Sequence, residues 1–188
     1  MSPAEKIALM RAMFDTAVSA AHPDNFIGEA VEKTVQALPE GRVFVTGFGK
    51  ASAVMVRAFE AAAPDRLKAK MEGMVIVPDG HGSECEHIQI IEAAHPVPDE
   101  RGLKAAEQII QTASQLGQDD LMVVLVSGGG SSLFCLPHRA IGFQVKQDIT
   151  TQLLHNGAPI DAMNCVRKHL SAGKGGQLAA AAYPAKTL

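Results

Sequence analysis

Apolar and polar positions along the 188-residue chain follow two rhythms, short unbroken apolar runs and longer stretches of helical period. Residues 121–126, Leu-Met-Val-Val-Leu-Val, contain no polar position, the pattern of a strand buried on both faces in the middle of a parallel sheet. Runs at 43–46, 73–77 and 88–93 predict three more strands. Between them the period changes. Ser2-Pro3-Ala4-Glu5 is a capping box with proline at the first helical position. Ile7, Met10, Phe14, Ala17, Val18 and Ala21 line one stripe of the helix it opens. A second helix, capped by Asp24 or Asn25, is predicted to run to Leu38 and stop at Pro39. Both read as packing elements. A third follows the first strand to about Ala62, with Val54, Met55, Ala58 and Phe59 on its buried face. Asp99 caps a helix over 101–115, and Asn156-Gly157 closes one over 143–154. Another begins at 159–161, and an alanine-rich helix follows Lys174-Gly175-Gly176.

Strands alternating with helices predict a three-layer α/β/α, Rossmann-like domain over residues 1–188 with a mainly parallel sheet. Segments 47–52, 95–99 and 127–132 each leave the carboxyl end of a strand, so they are expected to meet at one edge of the sheet. After Pro184 the residues Ala185-Lys186-Thr187-Leu188 look like the approach to a further strand. The alternation has no proper close, and the chain is expected to be the front part of a longer protein.

Composition narrows the function. At 47% hydrophobic and 20% charged residues this is an ordinary globular chain. A net charge of −3, no Trp and one Tyr argue against nucleic-acid binding through a basic face or by base stacking. No apolar run reaches membrane-spanning length, and the first residues lack the apolar core of a secretory signal. Three widely spaced cysteines, Cys85, Cys135 and Cys165, suggest free thiols and a cytoplasmic location.

The candidate chemistry centres on residues 127–132, Ser-Gly-Gly-Gly-Ser-Ser. Three glycines let the backbone turn sharply and approach a ligand, and Ser131 or Ser132 can cap a short helix. A tight turn with no ligand needs only one glycine, so Ser127, Gly128, Gly129, Gly130, Ser131 and Ser132 read as an anion cradle. The loop matches neither the Walker pattern nor the nucleophile elbow. Lys50, in Gly47-Phe48-Gly49-Lys50-Ala51-Ser52, opposes the dipole of the helix it opens; a bound phosphate would explain it, and a lysine pointing into solvent is the alternative. Gly47, Gly49 and the strand-end acid Asp79 are a near-miss to a dinucleotide fingerprint, spoiled by Ser52 at the third small position. His81, Cys85 and His87 lack metal-ligand spacing and read as an exposed loop, with no metal assigned. His95 orients a substrate group or fastens its own loop. Asn164, Arg167, Lys168 and Ser171 share one helix face opposite Met163, Val166 and Leu170, which suits an anionic substrate or a solvated surface equally.

Four motifs in order, 47–52, 95–100, 127–133 and 164–171, with Lys174-Gly175-Gly176, resemble the N-terminal region of the bacterial and archaeal glycerate 2-kinases that carry a C-terminal MOFRL domain. Many of these were first described as hydroxypyruvate reductases of tartrate utilisation. The resemblance implies transfer of phosphate from ATP, with Mg²⁺, to D-glycerate, giving 2-phosphoglycerate in a cleft between two domains. It places the catalytic lysine on Lys50 and the glycine-rich loop on residues 127–133, with Gly49, Ser52, His95, Asn164, Arg167 and Lys168 as substrate or phosphate contacts. The family pairs the lysine with an arginine of the second domain, which this chain does not contain. Gln177 and Gly173 depart from the family's usual basic and apolar residues. The implied partners are glycerate and the missing C-terminal domain, with a homodimer as a further assembly and no nucleic acid or membrane. Two alternatives remain, an NAD(P)H-dependent hydroxypyruvate reductase and a non-catalytic binding fragment. Alone, the chain is expected to be inactive and to associate through uncovered surface.

Overall fold

A computed structural model describes residues 1–188. In chain order the elements are α1 (Pro3–Ala20), α2 (Ile27–Gln36), β1 (Val43–Phe48), α3 (Ser52–Ala62), α4 (Asp65–Lys68), β2 (Met71–Pro78), β3 (Ile88–Ala93), α5 (Glu100–Ala113), β4 (Leu121–Val126), α6 (Gly130–Leu133), α7 (Phe143–His155), α8 (Ile160–His169), α9 (Gln177–Ala182) and β5 (Lys186–Thr187). The five strands form one parallel sheet in the order β3-β2-β1-β4-β5. Val43 pairs with both Met71 and Leu121, so β1 is the central strand.

The missing polar alternation in β1 and β4 has a direct cause, since helices cover both sheet faces. Side chains of a strand point to opposite faces in turn. Val43 and Val45 join Leu121, Val123 and Leu125 in a core closed by Ile27 and Val31 of α2 and Val56 and Phe59 of α3. Phe44 and Met122 face the other way, onto Ala106 and Ile109 of α5 and Leu178 and Ala182 of α9. One polar group fits poorly in this core. The Thr46 hydroxyl is buried with no hydrogen-bond partner. Thr46→Val, which keeps the shape and removes the orphan, is expected to raise stability by about 1 kcal/mol in urea unfolding.

Several expectations need correction. The Ser2–Glu5 capping box forms as read, but no residue of α1 is buried, and Met10 and Phe14 are 61% and 67% exposed. The stripe is apolar, yet no surface of residues 1–188 covers it. Asp24 and Asn25 lie in a 3-10 turn, Pro23–Asn25, and the N-cap of α2 is Phe26 with no side-chain bond. Asn25 Nδ2 instead donates to Ser19 O at 2.6 Å, and α2 ends at Gln36, short of Leu38. On α3 the fully buried positions include Ala53 and Val56, while Val54 and Met55 are only half-buried. β1 and β2 run further than expected, to Phe48 and from Met71 to Pro78.

Candidate functional site

The chain leaves β1 for β2 and β3 on one side, then crosses to β4 on the other, so the carboxyl ends of β1 and β4 flank the point where the strand order reverses. Open α/β sheets leave a crevice at that point. The turns after these strands are stitched together there. Lys50 N donates to Gly128 O at 2.9 Å, and Ala51 N donates to Ser127 Oγ at 3.0 Å. The glycines of the first turn are set by this close approach: a Cβ on Gly47 would strike the Leu125 carbonyl, and one on Gly49 would strike Ser127. The spacing that resembles a dinucleotide fingerprint therefore answers to strand packing. Asp79, the acid at the end of β2, is engaged on both oxygens by Arg101, at 2.6 and 2.9 Å, a bond that holds its carboxyl below the usual range.

Gly129 adopts φ +88°, a left-handed conformation that favours glycine. It also faces two candidate residues. A Cβ there would lie 2.9 Å from His95 Nε2 and 3.4 Å from Lys50 Cγ. Gly129, not a serine, is the N-cap of α6, contrary to the expectation for Ser131 and Ser132, which lie inside that short helix. Ser132 Oγ donates back to Gly129 O at 3.0 Å. The N–H groups of Gly128, Gly129 and Ser131 donate to nothing in the protein. Lys50 is exposed and enters no ion pair, while its carbonyl lies 3.1 Å from His81 Nδ1.

A cavity of about 230 Å³ beside this loop is lined by His95, Gly129, Ser131, Ser132, Asn164 and Arg167, with Leu154 and Ile160 as an apolar wall. Burial, then the charges of Lys50, Arg167 and His81, push His95 down, so its imidazole is neutral at pH 7. Ser52 is not among the lining residues. It is fully buried, and its hydroxyl donates to Leu125 O at 3.0 Å, 3.4 Å from Ser127 Oγ. Lys168 is exposed and outside the cavity, its stem near Gly175. Ser171 also leaves the expected polar face. It lies beyond the end of α8, buried, donating to Leu136 O and accepting from the N–H groups of Gly173 and Lys174. Val166, expected on the apolar side, is 37% exposed. A larger hollow of about 710 Å³, lined by Arg57, Glu60, Cys85 and others, contains none of these residues. Burial there pushes the Cys85 thiol up to about 11, which makes it a poor nucleophile.

Sequence reasoning gave no role to two lysines, Lys146, which it did not single out, and Lys174, which it named only within a motif. Lys146 of α7 is 3% exposed and donates to Leu136 O at 2.6 Å; Lys174 donates to Phe134 O, with its ammonium 5.8 Å from the centre of the Phe134 ring. Burial, with the charges of Lys146 and Arg167 against it and the Cys135 thiol in its favour, pushes Lys174 down from 10.5 to about 7. Between those two pH values the unfolded chain holds a proton that the folded chain lacks, so stability should rise with pH across that window. Urea unfolding at about pH 6.5 and 8.5 should show a gain that Lys174→Met abolishes.

Residues 9–188 match the model of a family described as a domain of unknown function, DUF4147. An Agrobacterium vitis protein named "Putative hydroxypyruvate reductase" is 47% identical over 95% of this chain and 39% of its own length. The D-glycerate 2-kinase of Thermotoga maritima is 37% identical over 91% of this chain and 40% of its own length. The crystal structure of a glycerate kinase from Thermotoga maritima superposes with a TM-score of 0.80 at 35% identity, covering 98% of this chain and 43% of that one. The chain thus spans about two fifths of the length of these relatives.

Proposed function

This chain belongs to the DUF4147 domain family, and from that premise we propose that it forms the N-terminal part of an ATP-dependent D-glycerate 2-kinase. One observation carries the reading. At the crevice of the sheet, an exposed lysine with no ionic partner adjoins a glycine loop whose N–H groups of Gly128, Gly129 and Ser131 are free. Phosphoryl transfer asks little of a protein beyond positioning and stabilisation of charge on the moving group. Free N–H groups hold phosphate oxygens, and Lys50 stabilises the charge that develops on the transferred group or on the attacking hydroxyl oxygen. As the oxygen–phosphorus bond forms, the hydroxyl proton must leave; neutral His95, against the same loop, offers an acceptor nitrogen.

Mg²⁺ commonly accompanies such phosphates, held by one or two carboxylates and the phosphates themselves. No group of three or more His, Cys, Asp or Glu residues in this chain could hold a metal ion, so these residues do not make a complete site. The reaction belongs in the cytoplasm, a location that three free cysteines support. No helix is long and apolar enough to cross a membrane.

A coupled assay of ADP release with D-glycerate on the complete polypeptide, beside NADH oxidation with hydroxypyruvate, tests the proposal. Glycerate-dependent ADP release is expected; NADH consumption without it would sink the reading. Residues 1–188 alone should release no ADP, because catalysis needs charges closing around the phosphates from both walls of the cleft.

A further inference from the structure

The glycine loop rests on a short column of packed rings. Glycine loses more conformational freedom on ordering than any other residue, so a loop with three in a row loses affinity if it must be ordered when a ligand arrives. On one side the turn after β1 holds it, through the Lys50 and Ala51 N–H groups. The hold on the other side is aromatic. Gly130 lies against Phe48, where a Cβ would come within 2.7 Å of both the ring and the carbonyl oxygen. The Phe48 ring stacks on that of Phe134, with centroids 4.5 Å apart and planes 6° from parallel. Beyond Phe134 stands Gly173, where a Cβ would strike the Phe134 ring. Neither Gly130 nor Gly173 has a positive φ, so at both positions the missing side chain makes room for a ring and serves no turn.

The column is fastened where it meets the backbone. Phe134, 1% exposed, donates its N–H to Gly130 O at 2.9 Å and so closes α6. Its carbonyl accepts from Lys174, whose ammonium lies 5.8 Å from the centre of the same ring. The N–H groups of Gly173 and Lys174 both donate to the Ser171 hydroxyl at 3.2 Å. That hydroxyl and the Ala172 N–H each donate to Leu136 O at 3.1 Å. Segments 134–137 and 171–174 therefore form one clip, and the two rings transmit its rigidity to the loop.

We propose that Phe48 and Phe134 are positioning residues for phosphoryl transfer: enclosed between Gly130 and Gly173, they hold the N–H groups of Gly128, Gly129 and Ser131 ready to receive a phosphate group. That purpose rests on the kinase reading above. The support itself does not, since it is read from the rigidity of the loop without turnover.

The test uses the isotope-labelled 188-residue chain, with inorganic phosphate as the probe. Without ligand, ¹⁵N relaxation should give Gly128, Gly129 and Ser131 order parameters near the rigid value of about 0.85. Phe134→Leu and Gly173→Ala should each lower them toward about 0.6. Both variants should weaken phosphate, followed at the same amides, by about threefold to tenfold, the worth of one aromatic pair. Phe59→Leu is the control. It removes a fully buried ring from the core on the other face of the sheet, so it should lower stability and leave both readings unchanged. Mobile amides in the unaltered chain, variants that bind phosphate as the unaltered chain does, or an equal loss in Phe59→Leu would each overturn the support. A rigid loop that binds no phosphate would overturn the purpose assigned to it. Binding as expected, without glycerate-dependent ADP release from the complete polypeptide, would retain the support and remove the kinase reading alone.

Discussion

Replacing Lys50 by alanine in the complete protein is expected to lower turnover with D-glycerate by about a hundredfold to a thousandfold, with KM for D-glycerate nearly unchanged. The split follows from where Lys50 stands. Its side chain reaches the face of Gly129 that His95 also approaches, at the mouth of the crevice, and it has no carboxylate to neutralise it. It also leaves the architecture of the turn untouched, since the bonds that hold residues 49–52 are made by the Lys50 N–H, the Ala51 N–H and the Ser52 hydroxyl. An interaction realised as charge develops lowers kcat and kcat/KM together when removed, whereas a ground-state contact raises KM. Steady-state kinetics of Lys50→Ala and Lys50→Arg separate the two. Turnover of the alanine variant within a few-fold of normal would remove Lys50 from the chemistry.

The second large effect is on stability, far from the crevice. Glu60→Ala should cost about 3 kcal/mol or more in urea unfolding. Glu60 of α3 is 8% exposed, and its carboxylate accepts three backbone N–H groups, those of Glu86, His87 and Ile88, at 2.9, 2.9 and 3.0 Å. The acid thus does for the loop before β3 what a missing neighbour strand would do, pairing two part-buried donors and the buried one of Ile88. Removing it strands those donors, each at a penalty of about 1–3 kcal/mol when buried. Glu60→Gln keeps only one good acceptor oxygen and should fall between the two. A loss below about 0.5 kcal/mol for the alanine variant would mean the loop is held by something else.

Much of this arrangement was legible in the residues. The strands at 43–46, 73–77, 88–93 and 121–126, and the short approach after Pro184, sit where the pattern placed them; residues 121–126 carry no polar side chain because helices cover both faces of the sheet, while β3 at the sheet edge carries exposed Gln89 and Glu92. Asp99 caps α5 as its position before the helical period required. What could not be read was which neighbour each side chain would meet. Lys146, four residues before Thr150 on α7, looks like any solvated helical lysine, and only the placement of α7 over the Leu136 carbonyl buries it. Ser171 was assigned by helical spacing to the polar face with Arg167, but α8 stops at His169, so that spacing no longer applies, and Ser171 bridges to Pro137 instead. Ser52 shows the same limit. Its hydroxyl serves a strand carbonyl that no local pattern reveals.

The uncovered first helix has a consequence for how the molecule opens. Eighteen residues of α1 are held by a capping box and by their own backbone bonds, with no side chain in either core. Such a helix lacks the main source of helical stability in proteins, which is the packing of an apolar face. Its amides therefore belong to a separate cooperative unit, exchanging with solvent through local fraying while those of β1 and β4 wait for global unfolding. Any surface that comes to cover Ile7, Met10, Phe14 and Val18 would merge the two units into one. The degree of coupling between α1 and the sheet, read as the gap between their exchange free energies, is thus a gauge of whether that stripe is occupied.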